Sequence, residues 1–416
     1  MVRKLYDEDA YRTEFDAEVI DTAAAGDGAV WVTLSQTCFF PEEGGQSPDR
    51  GTINGLAVVD VQISGDTIRH KVMLPAGGDS GAAGEGGSTT GGDGLVEGES
   101  VHGRIDWEFR FRNMQMHTGE HIFSGLVHSR YGYHNVGFHL SERTATMDYD
   151  GKLTEAQLQE LEDEANRAIV RNLAVHAWYP AADVLAGLSY RSKKEIDGAV
   201  RLVEIADVDL CACCAPHVRS TGEVGCFKLI GWENYKGGVR VSYRCGLRAM
   251  EDYGERLSLL TKLSQLLSVK TEDLAETVAK REAERRELAY ALVAKDRALA
   301  LTEIASMTAA DGRPRLADGR IDGAGILFLQ KADASLLRYV TDEMKKVYSG
   351  VVCVLLPVGE DVWRYQIEQD NGDVSMWLQM LRERFAAKGG GPKNSVQGSV
   401  TAPKRELALA LAKLLA

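Results

Sequence analysis

Met114–Phe123, MQMHTGEHIF, and Cys211–Val218, CACCAPHV, are the two stretches on which the reading of this chain turns. His117 and His121 are four positions apart, which on a helix puts both imidazoles on one face within reach of a single ion. About ninety residues later, Cys213 and His217 at C-x3-H spacing supply the other two ligands of a tetrahedral site. Three nitrogens with one sulfur favour zinc, one ion per chain. Cys211 and Cys214 flank Cys213, and either could serve in its place; a metal that only staples the fold is the plainer alternative. HTGEH also satisfies H-x-x-E-H, the pattern of inverted zinc peptidases in which the glutamate activates water. That class needs a further carboxylate ligand and would leave the cysteine cluster unexplained, so it ranks second, and Glu120 is expected to face solvent.

The surroundings of the two motifs read as α+β. Residues 101–254 mix a helical pattern near 110–130, a β-like stretch at TATMDY and a helix over TEAQLQELEDEANRAIVRNL. Before them, residues 1–100 carry the β-rich runs AVWVTL and LAVVDVQI among turn formers, as a small β-barrel or curled sheet would. Residues 76–94, AGGDSGAAGEGGSTTGGDG, hold too little apolar surface to offset ordering entropy and are expected to be a flexible surface insertion. Residues 255–306 contain no Pro or Gly and keep Leu260, Leu263, Leu267, Leu274, Val278, Leu288 and Leu292 at near-heptad spacing, which predicts a long helical linker. Arg281 and Arg285 fall in the same seam and argue against a continuous coiled coil. Residues 307–416 order a strand, a helix and a strand (ILFLQ, SLLRYVTDEMKKVY, VVCVLLPV), a small α/β domain ending in a glycine run.

Composition narrows the function classes. At 416 residues the chain exceeds one ordinary domain of about 150 residues. Its formal charge is −13, yet residues 381–416 hold seven Lys or Arg against two Glu, so this tail is +5 and the remainder −18. A nucleic-acid site must therefore be local, because an acidic surface repels phosphate. Seven cysteines, three within four positions, suit a metal and a reducing compartment better than a disulfide framework. No apolar run approaches the roughly 18–20 residues of a membrane span, and the polar start is unlike a signal peptide; no membrane partner and a cytoplasmic location are expected.

FFPEEGGQSPDRG (Phe39–Gly51), HTGEH, CCAPHV and TGEVGCFKLI (Thr221–Ile230) occur in an order and at separations that resemble the editing region of alanyl-tRNA synthetases and the freestanding AlaX-type alanyl-tRNA editing proteins. The long helix and a last domain with KGGGPKNSVQGS (Lys388–Ser399) resemble the DHHA1 domain of the long AlaX form. Nothing resembles the ATP-binding and aminoacylation domains, so charging activity is not expected. The chain departs from the family in reading CCAPHV where CGGTHV is common, and in placing Glu43 before Gly44-Gly45-Gln46.

The resemblance implies a trans-editing hydrolase that deacylates alanine tRNA carrying a wrong amino acid, chiefly serine and secondarily glycine. It implies that Gly44, Gly45, Gln46, Thr221 and Gly222 line the substrate pocket, with Gln46 reading the aminoacyl end; without it, both stretches are ordinary turns. Lys388, Gly389, Gly390, Gly391, Lys393 and Gln397 are the candidate RNA contacts, bringing backbone N–H groups and positive charge to phosphate; a plain connector is the alternative. The leucine seam is a candidate surface for a homodimer. No general base is assigned, and a non-catalytic, zinc-stapled RNA-binding protein is the third reading.

Overall fold

Alternation of apolar and polar residues builds the first element of the chain. In Glu14–Gly26 (β1), Phe15, Ala17 and Val19 are buried while their neighbours are exposed, the period of a strand with one face on a core. In this computed structural model, which describes residues 2–26, 28–75, 95–142, 145–192, 198–330 and 334–414, β1 closes a six-stranded barrel. Its other strands are Ala29–Leu34 (β2), Gly51–Ile53 (β3), Leu56–Ser64 (β4), Thr67–Met73 (β5) and Ser100–Ile105 (β6), in the order β1-β2-β5-β4-β3-β6. Because β6 pairs with both β1 and β3, the barrel needs residues beyond the expected boundary at 100. The expected insertion at 76–94 lies outside the described residues.

From the barrel the chain enters Trp107–Tyr131 (α1), capped by Asp106, whose side chain accepts from the Phe109 N–H at 3.1 Å, and ended by Gly132 at φ +68°. Every residue from Asn113 to Gly125 is buried, so this helix is enclosed on all sides instead of presenting one apolar stripe. Arg110 ties it to the barrel through Asp49, with both side chains fully buried and Arg110 Nε 2.9 Å from Oδ2. Two glycines permit the enclosure: a methyl at Gly119 would collide with Cys245 Sγ, and one at Gly125 with the Val208 carbonyl.

Around α1 lie a four-stranded antiparallel sheet and a helix. The strands are Asn135–Leu140 (β7), Ala145–Tyr149 (β8), Phe227–Tyr235 (β12) and Gly238–Cys245 (β13), ordered β12-β13-β8-β7; the helix is Glu155–Val170 (α2) with a capping box at Thr154 and Gln157. A separate three-stranded sheet, Val175–Trp178 (β9), Leu202–Ile205 (β10) and Asp209–Ala212 (β11), delivers the cysteine motif at its end.

The chain divides into two compact units, residues 1–262 and 263–416. The predicted uninterrupted helix over 255–306 is not what forms. Gly246–Leu267 (α3) stops before Ser268, which adopts φ +56°, and a short turn at Thr271–Asp273 precedes Leu274–Ala310 (α4). A left-handed residue that is not glycine interrupts the helical hydrogen-bond ladder, and Ser264 Oγ bonds the Val269 carbonyl across the break. The second unit then builds a five-stranded sheet from Gly325–Phe328 (β14), Val352–Gly359 (β15), Val362–Glu368 (β16), Lys388–Gly390 (β17) and Ser395–Thr401 (β18), ordered β14-β15-β16-β18-β17. Helices Ala334–Lys345 (α5), Ser375–Phe385 (α6) and Lys404–Ala412 (α7) accompany it.

Candidate metal centre

His117 and His121 project from successive turns of α1, and Cys213 and His217 come from the turn that follows β11. The four donor atoms lie within 4.8 Å of one another, with Cys213 Sγ 3.5 Å from both His117 Nε2 and His217 Nε2. All three imidazoles are 2% or 5% exposed.

Each ring is oriented through its other nitrogen. His117 Nδ1–H donates to Gln46 Oε1 at 2.7 Å, His121 Nδ1–H to Asp209 Oδ2 at 2.9 Å, and His217 Nδ1–H to Thr118 Oγ1 at 3.0 Å. With Nδ1 so committed, Nε2 is the free donor on each ring and all three converge on the thiol, the arrangement by which proteins fix a metal-binding tautomer. The donor set therefore fits a metal on this chain's own geometry.

The electrostatics agree. Burial pushes the Cys213 thiol up, but the His117 imidazole and hydrogen bonds from all three histidines outweigh it and hold the thiol well below its usual range. Burial lowers His121, yet its bonds to Asp209 and Cys213 raise it to about 9; burial dominates at His217, which falls to about 3. One ring favours the proton and the other refuses it, so three buried imidazoles do not carry three positive charges.

Several sequence expectations land differently. Glu120 does not face solvent: it is 1% exposed, and its carboxylate accepts from Ser124 Oγ at 2.7 Å and Asn135 Nδ2 at 2.6 Å. A helix closed in by sheet and barrel has no solvent side at this turn. Gly44 and Gly45 form the expected turn at φ +63° and +83°, and Gly45 must be glycine because a methyl would strike the Phe138 carbonyl. Gln46, fully buried, directs Oε1 to His117 and leaves its Nε2 without a partner. Thr221 and Gly222 are not joined to the cluster by hydrogen bonds: Thr221 Oγ1 donates to Ala168 O and accepts from Leu173 N, and Gly222 N–H donates to Asn172 Oδ1, all at the end of α2. Cys214 turns toward Gly44, 3.6 Å from where its Cβ would be, and Cys211 groups with His121 and Asp209.

Asp209 and Arg191 had no signal in the sequence. Arg191 clamps Asp209 with two bonds of 2.7 and 2.8 Å, holding the carboxylate that orients His121. An isolated Asp two residues before a cysteine is legible only through the pairing that brings Arg191 beside β11.

In the second unit the glycine run is no free loop. Gly389 and Gly390 belong to edge strand β17, and Gly389 and Gly398 are both needed where the Tyr365 hydroxyl crosses the β17–β18 pair. Lys388, Gly389 and Gln397 line a cleft of about 550 Å³ together with Arg338, Arg364 and Tyr365. The two arginines come from α5 and β16, far in sequence from the basic tail, and were not singled out.

Residues 200–242, which carry the second half of the cluster, match the family described as threonyl and alanyl tRNA synthetase second additional domain. That stretch is similar to an accessory domain of synthetases. Alanyl-tRNA editing protein AlaX-L of Pyrococcus horikoshii is 30% identical over 292 residues, covering 67% of this chain and 68% of that protein. The chain belongs to this family of alanyl-tRNA editing proteins. Alanyl-tRNA editing protein Aarsd1 of Rattus norvegicus is 26% identical and covers 95% of this chain and 94% of that protein. Alanine–tRNA ligase of Pyrococcus furiosus is 34% identical over 70% of this chain but 32% of that protein; the chain spans about a third of the length of such ligases. Among the described residues, no helix is long and apolar enough to cross a membrane.

Proposed function

We propose that this chain is a trans-editing hydrolase that cleaves the ester joining a wrong amino acid, serine foremost and glycine second, to alanine tRNA. The observation that carries this reading is the buried cluster of His117, His121, Cys213 and His217 with the Gln46 amide directed into it. Alanine is smaller than serine, so a charging site built for alanine excludes serine poorly and glycine not at all, which calls for a second, hydrolytic site.

Zinc is the ion the set would hold, and when bound it would supply fixed positive charge to orient polar atoms of the substrate. Four protein donors complete a tetrahedron, which supports positioning over generation of a metal hydroxide. Gln46 Nε2 is the unpartnered donor beside His117, suited to the carbonyl oxygen of the ester as charge develops there. Hydrolysis forms a bond from water oxygen to the carbonyl carbon, breaks the ester C–O bond and returns a proton to the tRNA terminal hydroxyl. The peptidase alternative is disfavoured by the thiol among the donors; Glu120 gives Oε1 to Ser124 and Asn135, with Oε2 3.8 Å from His121 Nε2.

The second unit is assigned to the tRNA body. Its cleft gathers Arg338, Arg364 and Lys388 with a glycine-lined edge where backbone approaches closely, as phosphate contacts require. Leu263, Leu288 and Leu292 are exposed on α3 and α4 and support self-association through those helices. The test is deacylation of Ser-, Gly- and Ala-charged alanine tRNA: loss of serine and retention of alanine is expected, and equal hydrolysis of Ser- and Ala-tRNA would refute the editing role.

A further inference from the structure

Next in sequence to Cys213, Cys214 belongs to a second polar cluster that the proposed chemistry leaves unused. It draws on Tyr6 and Asp7 from the Leu5–Glu8 turn, Glu43 from the glycine turn, Cys214 and Tyr179. Arg201 joins it to the metal turn, donating to the carbonyls of Cys213 at 3.0 Å and Ala215 at 2.9 Å, with its Nε 3.4 Å from Asp7 Oδ1. Tyr179 donates to Asp7 Oδ2 at 3.0 Å. Asp7 thereby has an opposite charge beside it, although its Oδ1 accepts no hydrogen bond.

Glu43 has no such cation: among the described residues its carboxylate is met by the Cys214 thiol, and its Oε2 is buried without a hydrogen-bond partner. The Tyr6 hydroxyl, on a side chain 2% exposed, also has no partner, and the groups whose charge it feels are Asp7, Glu43, Cys214 and Tyr179. A carboxylate oxygen and a phenol of one cluster are therefore both buried without a hydrogen-bond partner, each costly to leave unpaired. Gly44 and Gly45 beside them are exposed, so the turn is open to solvent, and the same turn carries Gln46 to His117.

What satisfies a carboxylate without a cation and a hydroxyl acceptor is a small cation with several N–H donors. The substrate of the proposed reaction has one such group: the amino acid's α-amino group, free in an aminoacyl ester and largely protonated near neutral pH. We propose that Glu43 and Tyr6 bind the α-ammonium of the ester-linked amino acid, setting its carbonyl toward Gln46 and the metal cluster. This rests on the editing reading and adds to it a requirement for a free, charged amino group. Acylated or deaminated esters, equal in their 3′ end, would be poor substrates.

The experiment compares two substrates on the full-length chain: seryl-tRNA, and the same tRNA bearing the 2-hydroxy-acid analogue of serine, in which a neutral hydroxyl replaces the ammonium. The wild type should prefer the seryl ester in kcat/KM. Glu43→Gln should shrink that preference by roughly tenfold to a hundredfold, the worth of a hydrogen bond to a charged group. Tyr6→Phe should shrink it by several-fold, and this second variant carries the test if Glu43→Gln does not fold. Zinc content of each variant is measured alongside. A preference unchanged in both variants, whatever happens to the absolute rates, overturns the proposal and leaves the cluster a water site. A wild type that hydrolyses neither ester instead sinks the editing reading itself.

Discussion

A single carboxylate shows how the candidate metal site is held. Asp209 neither belongs to a motif nor reaches the proposed ion, yet it sets the tautomer and the raised basicity of His121 while Arg191 fixes it in turn. Asp209→Asn should weaken zinc binding by about tenfold to a hundredfold, measured by competition with a chromogenic chelator. Cys213→Ala should lose the metal, whereas Cys211→Ala and Cys214→Ala should keep it, because those thiols turn to Asp209 and to Gly44. His70 makes a separate prediction inside the barrel. Burial lowers it from 6.5 to about 4, with Nδ1–H given to the Val32 carbonyl and Nε2 beside Thr37 Oγ1. A depressed value means that the unfolded chain binds the proton more readily. Stability is then full above pH 6.5 and falls as pH drops toward 4, by roughly 3 kcal/mol at most. His70→Gln should flatten that part of the pH–stability curve obtained from urea unfolding.

Among the elements, α1 is the one on which most depends. It carries both histidines, Thr118 and Glu120, and its glycines let β13 and the turn before β11 close on it. Gly119→Ala would raise intrinsic helix propensity by about 1 kcal/mol, but the new methyl meets Cys245 Sγ. Overpacking of this kind costs about 1–3 kcal/mol, so a lowered urea midpoint is expected where a solvent-exposed helix would have gained. The Arg110–Asp49 pair anchors the same helix to the barrel. Asp49→Ala leaves a guanidinium buried and unpaired, a loss of about 3–5 kcal/mol, read from the same unfolding curves. The long leucine-bearing stretch shows the reverse relation between element and expectation: a run lacking Pro and Gly is compatible with one helix, but the left-handed turn at Ser268 divides it.

For the molecule as a whole, the issue is where an acidic protein would meet the proposed RNA. The basic tail is real in the sequence, but its charges are dispersed by folding: Arg382 donates to the Gly389 carbonyl, while Lys388 joins Arg338 and Arg364 at the cleft. Changing Arg338, Arg364 and Lys388 together to Ala should weaken tRNA binding and reduce the slope of log K against log salt by roughly two to three. Electrophoretic or filter-binding titrations at several salt concentrations measure this. An unchanged slope would place the phosphate contacts elsewhere.

What the sequence determined by itself is local. The spacing of His117 and His121 reflects helical period, that of Cys213 and His217 the reach of one turn, and the alternation in β1 the pleat of a strand; each is set by near neighbours. Motif order and separation were enough for the family resemblance, since they survive without knowledge of contacts. Tertiary structure alone decided the rest. Glu120 is buried because elements distant in sequence enclose its helix, and Asp209, Arg191, Arg338 and Arg364 gain their roles from partners that no local pattern announces. The partners of Thr221 are of the same kind: its hydroxyl meets the Ala168 carbonyl because of what the fold sets opposite it.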